Sequence, residues 1–403
     1  MTCLCCRSRY RWLRRSCAVL CVAVVFVVAQ HAAPLQRTRI TAPCCDLPVV
    51  RAQSADIEKP LLNIDDDVSA FAFAPDGRIV YSARHHFHTK QYDLERDDIW
   101  LQETGGKRRR LLQGEKFSRG NTPFSYVIDS FRWSPNGRLI LAELFTTSVV
   151  DEHGTTQDSF MTLAMEDNGK EIHLGANDSL LKDAYDATWL MDNATIVYLT
   201  EIVKPKVLFS FKFVNITAGP SGNVFEGRTF LDAYPIPRTN LAIGVERDRN
   251  LTGPPRLQRL ELLAQDDREL ATLDGYEGGV SVSPSMKKVA YYIDKEVLEV
   301  RDLTDPNKIA RVRIGLGTFQ WSPDETRILL KRAPEKKSGD LVWIEIPTLA
   351  TYASKDKEPP VTQPSLVSIL HGLTFRDFAI TPDGKLAVIA PGKRNLMVFP
   401  LPR

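Results

Sequence analysis

A short unit recurs through most of this chain, and it constrains the fold more than any other feature. Phe71-Ala-Phe-Ala-Pro-Asp-Gly77 runs into Arg78-Ile-Val-Tyr81, and Phe131-Arg-Trp-Ser-Pro-Asn-Gly137 into Arg138-Leu-Ile-Leu141. Phe319-Gln-Trp-Ser-Pro-Asp324 and Phe378-Ala-Ile-Thr-Pro-Asp-Gly384 repeat the pattern near the C-terminus. Fainter copies begin at Val280 and Ala187, and the weakest is Tyr234-Pro-Ile-Pro237 before Leu241. Apolar residues two apart place both side chains on one face of a strand. Pro-Asp-Gly then turns the chain, because Pro presets φ, Asp bonds locally and Gly accepts positive φ.

A third strand follows in the clearest copies, at Asp98–Leu101, Leu341–Ile346 and Leu396–Phe399. A fourth is expected at Arg110–Leu112 and Ser365–Leu370. The turns fall near residues 75, 135, 191, 237, 284, 323 and 382, at gaps of 39 to 60 residues. Trp133, Trp189 and Trp321 share one place on the first strand, and Trp100 and Trp343 fall on the third. Short antiparallel strands repeated in this register predict an all-β chain folded as a β-propeller. Seven copies point to seven blades, and the weak fourth copy leaves a six-bladed ring open. The last copy has three strands, so Glu58–Ile64 is expected to join it as the outer strand and close the ring.

The N-terminal region reads differently. Arg7, Arg9, Arg11, Arg14 and Arg15 precede an apolar run from Ser16 to Ala29. A basic flank before a short apolar stretch is the shape of an export signal, cleaved after Ala29 or retained as an anchor. Residues 1–29 are therefore expected to be a signal peptide or signal anchor, 30–56 a flexible tether, and 57–403 the propeller. All seven cysteines lie within the first 45 residues, which excludes a thiolate metal site or thiol nucleophile in the main body. Cys44 and Cys45 survive cleavage and are open to lipidation or to pairing with another chain.

With Ala74–Gly77, Ser322–Asp324, Thr381–Gly384 and Asp98–Leu101 in place, the repeat resembles that of TolB-like propellers. It is also similar to the propeller domain of prolyl oligopeptidases. The resemblance spans roughly residues 58–403 and implies the fold; such scaffolds host many roles. A serine-hydrolase role has no nucleophile, since no Gly-x-Ser-x-Gly elbow occurs.

The connections after the second strand are long near 84–97, 145–158 and 246–257, and long loops on a rigid scaffold are the usual place for binding. The first contains His85, His86 and His88. His86 and His88 share a face if the strand continues, as weak candidates for zinc or copper that still lack a third ligand. Asp65 and Asp66, beside Asp67 and expected at the same end, are candidates to join them, as is His153. Lys107–Arg110 reads as a solvated edge, with an acidic partner or lipid headgroup as the alternative. Sequons stand at Asn177, Asn193, Asn215 and Asn250.

A formal charge of +2 and no basic–aromatic interleaving argue against a nucleic-acid groove. No motif names a cofactor, which stays unknown. The expected role is a non-enzymatic, exported, monomeric interaction scaffold in the periplasm or cell envelope. It would bind another envelope protein at the channel mouth, with the N-terminal segment as a membrane tether. A metal- or carboxylate-dependent hydrolase or lyase in the central channel is the alternative, and a small-ligand or glycan module the second alternative.

Overall fold

The computed structural model describes residues 60–400 apart from 89–92, 118–123, 150–154, 175–179, 204–206, 220, 248–252, 274, 316, 333–340, 353–358, 365, 371–376, 382–383 and 390–394. Arg14, Arg15, Ala29, Cys44, Cys45, His153, Asn177 and Asn250 lie outside the described residues.

The described residues are strands joined by turns, with one short 3-10 segment at Gly114–Lys116. No helix among them is long and apolar enough to cross a membrane. Strand β1 (Leu62–Ile64) precedes a first antiparallel unit of β2 (Val68–Phe73), β3 (Ile79–His88), β4 (Asp93–Gln102) and β5 (Arg108–Leu112). The second unit is β6 (Phe124–Trp133), β7 (Leu139–Val149), β8 (Thr156–Glu166) and β9 (Leu180–Lys182). The third is β10 (Tyr185–Trp189), β11 (Thr195–Val203), β12 (Val207–Asn215) and β13 (Ser221–Val224). The fourth is β14 (Phe230–Pro235), β15 (Leu241–Glu246), β16 (Arg256–Glu261) and β17 (Asp266–Thr272).

The fifth unit is β18 (Gly278–Val282), β19 (Lys288–Tyr292), β20 (Val297–Asp302) and β21 (Lys308–Arg313). The sixth is β22 (Gly317–Trp321), β23 (Arg327–Arg332) and β24 (Leu341–Glu345), completed after an excursion. On that excursion β25 (Ala350–Thr351) and β26 (Val361–Thr362) lie along β21, and β27 (Leu366–Leu370) then returns to β24. The last unit is β28 (Asp377–Ile380), β29 (Lys385–Ile389) and β30 (Leu396–Pro400). Its outer strand is β1, which pairs antiparallel with β30 through Leu62↔Val398 and Ile64↔Leu396. The strand closing the ring thus comes from the N-terminal side, as the repeat predicts.

Alternation along the strands explains why the units form a ring. In β19, Val289 and Tyr291 pack with Ile243, Val245 and Leu257 of the fourth unit. Ala290 and Tyr292, between them, pack with Trp321 and Ile328 of the sixth. Each sheet therefore buries both faces, one against each neighbour. The last seam joins Leu396 and Val398 to Val68, Ile79 and Tyr81, so the final unit packs on the first. Cyclic packing of four-stranded antiparallel units makes this a β-propeller. Burying one large side chain in such a seam contributes roughly 1.5–3 kcal/mol.

The turn after each innermost strand repeats one backbone state. Gly77, Gly137 and Gly384 have φ of 86°, 71° and 76°. The same left-handed place is held by Asn193, Met286 and Glu325, at φ 55°, 58° and 58°, whereas in the fourth unit the positive φ falls one residue earlier, at Arg238 (62°), and Thr239 N closes the turn. Gly77 N donates to Ala74 O at 3.0 Å, and Glu325 N donates to Ser322 O at 3.0 Å, so the closing bond does not depend on glycine.

Candidate functional site

Chain direction gives the ring two ends. The turns after the innermost strands lie at one end, and the connections between second and third strands lie at the other. The three regions read as long connections divide there. Residues 84–97 and 145–158 are largely strand: β3 and β4 stay in register to His88↔Asp93, and β7 and β8 to Val149↔Thr156. In the 246–257 region β15 and β16 stay in register to Glu246↔Arg256. The β11–β12 hairpin also projects, pairing out to Val203↔Val207.

The histidine stretch is strand because its polar side chains are matched across the hairpin. Arg84, His86 and His88 alternate on one face, and their partners on β4 are Asp97, Glu95 and Asp93. His86 Nδ1 lies 3.5 Å from Glu95 and His88 Nδ1 lies 2.5 Å from Asp93. Both side chains are well exposed, at 61% and 80%. His85 points to the opposite face and stacks on Phe87 at 5.9 Å. Asp66 lies apart from them, accepting from Tyr81 Oη at 3.1 Å and from Arg108 Nη1 at 2.8 Å. Asp65 is exposed. The structure therefore places His86 and His88 together, with His85 and Asp66 elsewhere. Among the described residues no three His, Cys, Asp or Glu side chains gather around one ion position.

Each projecting hairpin is braced by the innermost strand of the next unit. Asp97, fully buried, accepts from Ser69 Oγ at 2.6 Å, Arg84 Nε at 2.7 Å and Ile128 N of β6 at 2.8 Å. Burial pulls the Arg84 pKa down, but Asp97 and Glu95 outweigh it and the net shift is upward. Tyr126 Oη donates to Asp97 O at 2.7 Å. Burial, reinforced by Asp97, pushes the Tyr126 phenol well above its ordinary range. Arg96 donates to the carbonyls of Phe124 and Phe117 at 2.9 and 2.5 Å, with its guanidinium over the Phe87 and Phe124 rings. On the second hairpin, Phe145 packs on Phe160, and Phe160 on Tyr185 of β10, each at 5.1 Å. On the third, Phe209 bridges Phe230 of β14. Three consecutive hairpins thus form a crest, each tied to the innermost strand of the next unit.

The basic run 107–110, read as a solvated edge, is largely exposed, and its three arginines also make ties to neighbouring residues. Arg108 binds Asp66 at 2.8 Å. Arg109 donates to Asp167 O of the second unit at 2.5 Å. Arg110 pairs with Asp98 at 3.2 Å and lies over Trp100. These partners are close in space but absent from the local sequence. Both described sequon amides are engaged too: Asn193 Nδ2 donates to Met191 O at 3.2 Å and Asn215 Nδ2 to Thr195 Oγ1 at 3.0 Å.

At the turn end, the innermost strands line a half-open cavity of about 330 Å³ in the central channel. Phe71, Phe73, Phe131, Phe378 and Ile380 supply apolar walls, with Arg132, Arg238 and Gln320 among them. Gln320 is occupied, donating to Phe378 O and accepting from Ile380 N, both at 3.0 Å. Arg132 lies 3.7 Å from Asp186, which has φ 50° at a break in β10 register. Burial raises the Tyr234 phenol pKa, opposed by Arg132 and aided by Asp186. Repeat reading did not find Arg132, Asp186 or Arg238.

No family model matches the chain. No curated protein matches it. It is similar to solved structures. One is the C-terminal WD40 domain of Sif2, at 12% identity over 86% of this chain and 98% of that one, TM-score 0.44. Another is the beta-propeller domain of Cps50 (Swd1) from Myceliophteria thermophila, at 10% identity over 85% and 100%, TM-score 0.46. A third is TolB from Acinetobacter baumannii, at 11% identity over 69% and 80%, TM-score 0.35. The assignment of the fold rests on the strand pairings and the cyclic core.

Proposed function

We propose that this chain is a protein-interaction scaffold, a seven-bladed ring spanning residues 57–403 that meets its partner with the crest of its first three blades. The observation that carries this reading is the crest itself. Three neighbouring hairpins project from one end, and each is tied to the following blade, so the surface is exposed yet pre-organised. A rigid surface loses little conformational freedom on binding, which favours affinity. Its mix of matched charges and half-buried aromatics suits a protein partner, where aromatic anchors sit within a polar rim.

The reading includes export. The arginines before Ser16–Ala29 support a signal peptide or anchor, and residues 30–56 a tether. The Pro-Asp repeat, similar to that of TolB-like propellers, supports another envelope protein as the partner.

The test uses the full chain in its native host. A photo-crosslinking residue placed at Phe87 is expected to trap one discrete partner, and the same residue at Met286 on the opposite end is expected to trap none. Equal labelling from both ends overturns the crest as the partner face. Fractionation of the same cells tests export, and recovery in the cytosol overturns that part.

A further inference from the structure

We propose that the turn end of the ring lies against a lipid bilayer, with Leu61, Met191, Leu263 and Met286 as the side chains that enter it. This assigns the face opposite the crest, so either assignment can fail without the other. One of its two arguments rests on the anchor form of the export reading.

The first argument is where apolar side chains meet water. Among the described residues the exposed large ones are Leu61, Met191, Ile202, Leu263, Met286 and Val361. Ile202 stands near the tip of the β11–β12 hairpin and Val361 on β26. The other four share the turn end, because the turns between third and fourth strands return to it. Met191 and Met286 lie in the turns after β10 and β18, and Leu263 in the turn from β16 to β17. They are 52%, 37% and 53% exposed. Asn240 brings two of them together: its Oδ1 accepts from Met191 N at 3.0 Å, and its O accepts from Leu262 N at 2.8 Å. Met286 holds a left-handed φ of 58°, uncommon for a residue with a Cβ. At the same place Asn193 and Glu325 lace neighbouring turns, through Asn136 N at 2.8 Å and Ser285 Oγ at 2.9 Å. Met286 presents an apolar side chain to solvent instead. Apolar tips of this kind gain by entering the boundary between headgroups and acyl chains.

The second argument is where the chain enters the ring. Strand β1 runs antiparallel to β30, a third strand, so β1 begins at the turn end. Leu61 stands just before it, 58% exposed, and borders one cavity with Asp76, Gly77 and Gly106 of the first unit's turns. Residues 30–59, as a tether, join this point to the apolar run Ser16–Ala29. A tether of that length averages about 30 Å end to end, which keeps the turn end, and not the crest, beside the bilayer. The third to fifth units lie across the ring from this point, so Leu61 and the group around Leu263 meet the bilayer on two sides of the ring. Lys107, Arg138 and Lys287 are exposed at the same end and make no ion pair among the described residues, which suits anionic headgroups. Three exposed carboxylates there are engaged locally: Asp76 with Arg78, Asp192 with Thr195 Oγ1 and Asp324 with Ser322 Oγ.

The test reconstitutes the full chain into vesicles of phosphatidylcholine and phosphatidylglycerol in equal parts, so the outcome depends neither on export in the host nor on a partner at the crest. A photo-crosslinking residue replaces Leu263, Leu61 or Phe87, and adducts are identified by mass spectrometry. Leu263 is expected to give lipid adducts at least about tenfold above Phe87, since the turn end is at the headgroup boundary and the crest is in water. With Met191→Asp and Met286→Asp together, the Leu263 yield is expected to fall at least about threefold. The melting temperature is expected to hold, because both methionine side chains are exposed. Lipid adducts from Leu61 without any from Leu263 would mean a tether that leaves the ring clear of the bilayer, and would overturn the proposal. Equal yields from Leu263 and Phe87, an unchanged yield in the double variant, or crosslinks from Leu263 to a second copy of the chain in place of lipid would overturn it too.

Discussion

Two buried carboxylates, one in the first unit and one in the fifth, serve opposite purposes. Asp97 accepts from Ser69 and Arg84 within its own unit and from Ile128 N in the next. Glu299, equally inaccessible, accepts from Tyr291 Oη, Arg301 Nε and Arg311 Nε, all on its own sheet. Burial raises the Tyr291 pKa well above its ordinary value, and the Glu299 charge adds to it. The first arrangement joins blades and holds up a projecting hairpin. The second stabilises a unit whose β19–β20 connection is short. A buried charge can therefore be spent on the geometry of a surface or on the integrity of one sheet, and the position of its partners decides which.

The largest effect is expected where that difference is tested directly. Asp97→Asn leaves the Arg84 cation, 4% exposed, without a full counter-charge, and the cost is about 3–5 kcal/mol in denaturant unfolding. Its signature is faster hydrogen exchange at the Ile128 amide, in the neighbouring unit. Glu299→Gln is expected to cost about 3 kcal/mol as well, with faster exchange confined to β19–β21. Exchange changes spreading equally from both variants would break the comparison.

A smaller effect tests the seam between the first two units. Gly169 has φ +92°, and a Cβ there would stand 2.5 Å from Leu111 O. Gly169→Ala should cost about 2 kcal/mol, from backbone strain plus displacement of the neighbouring blade. Gly227, at φ +80°, where an added Cβ would meet no atom within 4 Å, isolates the strain alone, and its alanine variant should cost about 1 kcal/mol. Equal midpoints for the two variants would show that the seam yields freely.

A pH experiment probes the Tyr81–Asp66–Arg108 tie of the first unit. Burial raises the Tyr81 phenol pKa to about 12; hydrogen bonding from Arg108 opposes the shift and Asp66 reinforces it. Its folded pKa exceeds the ordinary value of about 10, so its contribution is complete below that pH. The contribution is lost as pH rises from about 10 to about 12, at up to about 1.4 kcal/mol per pH unit. Tyr81→Phe should make the alkaline fall in urea midpoint shallower, and an unchanged slope would contradict the assignment.

The smallest effect belongs to the hairpin tip. His88 and Asp93 are both exposed, and an exposed pair contributes little. His88→Ala should change stability by less than about 0.5 kcal/mol, which thermal melts would show. A change above about 1 kcal/mol would mean that the brace extends to the tip.

The closing strand was legible in advance because Leu62–Ile64 has the strand character that the last copy lacks. The histidine stretch was harder. His86 and His88 beside Arg84 look like loop, and they become strand only because Glu95, Asp93 and Asp97 stand opposite in register. Arg108, Arg109 and Arg110 read as a solvated run and remain largely exposed; what the local sequence did not show is that folding brings Asp66, Asp167 O and Asp98 beside them.

The sequence by itself determined the repeating unit, its turns and the ring they form. Those follow from side-chain alternation and turn chemistry within a few residues, and the spacing of copies carries them around the circle. The tertiary structure alone decided which side chains cross between blades and which face the channel. Asp97 finds Ile128, Asn193 finds Asn136, and Arg238 finds an open cavity. Those outcomes depend on how adjacent sheets are set against one another, a relation that no local stretch of residues encodes.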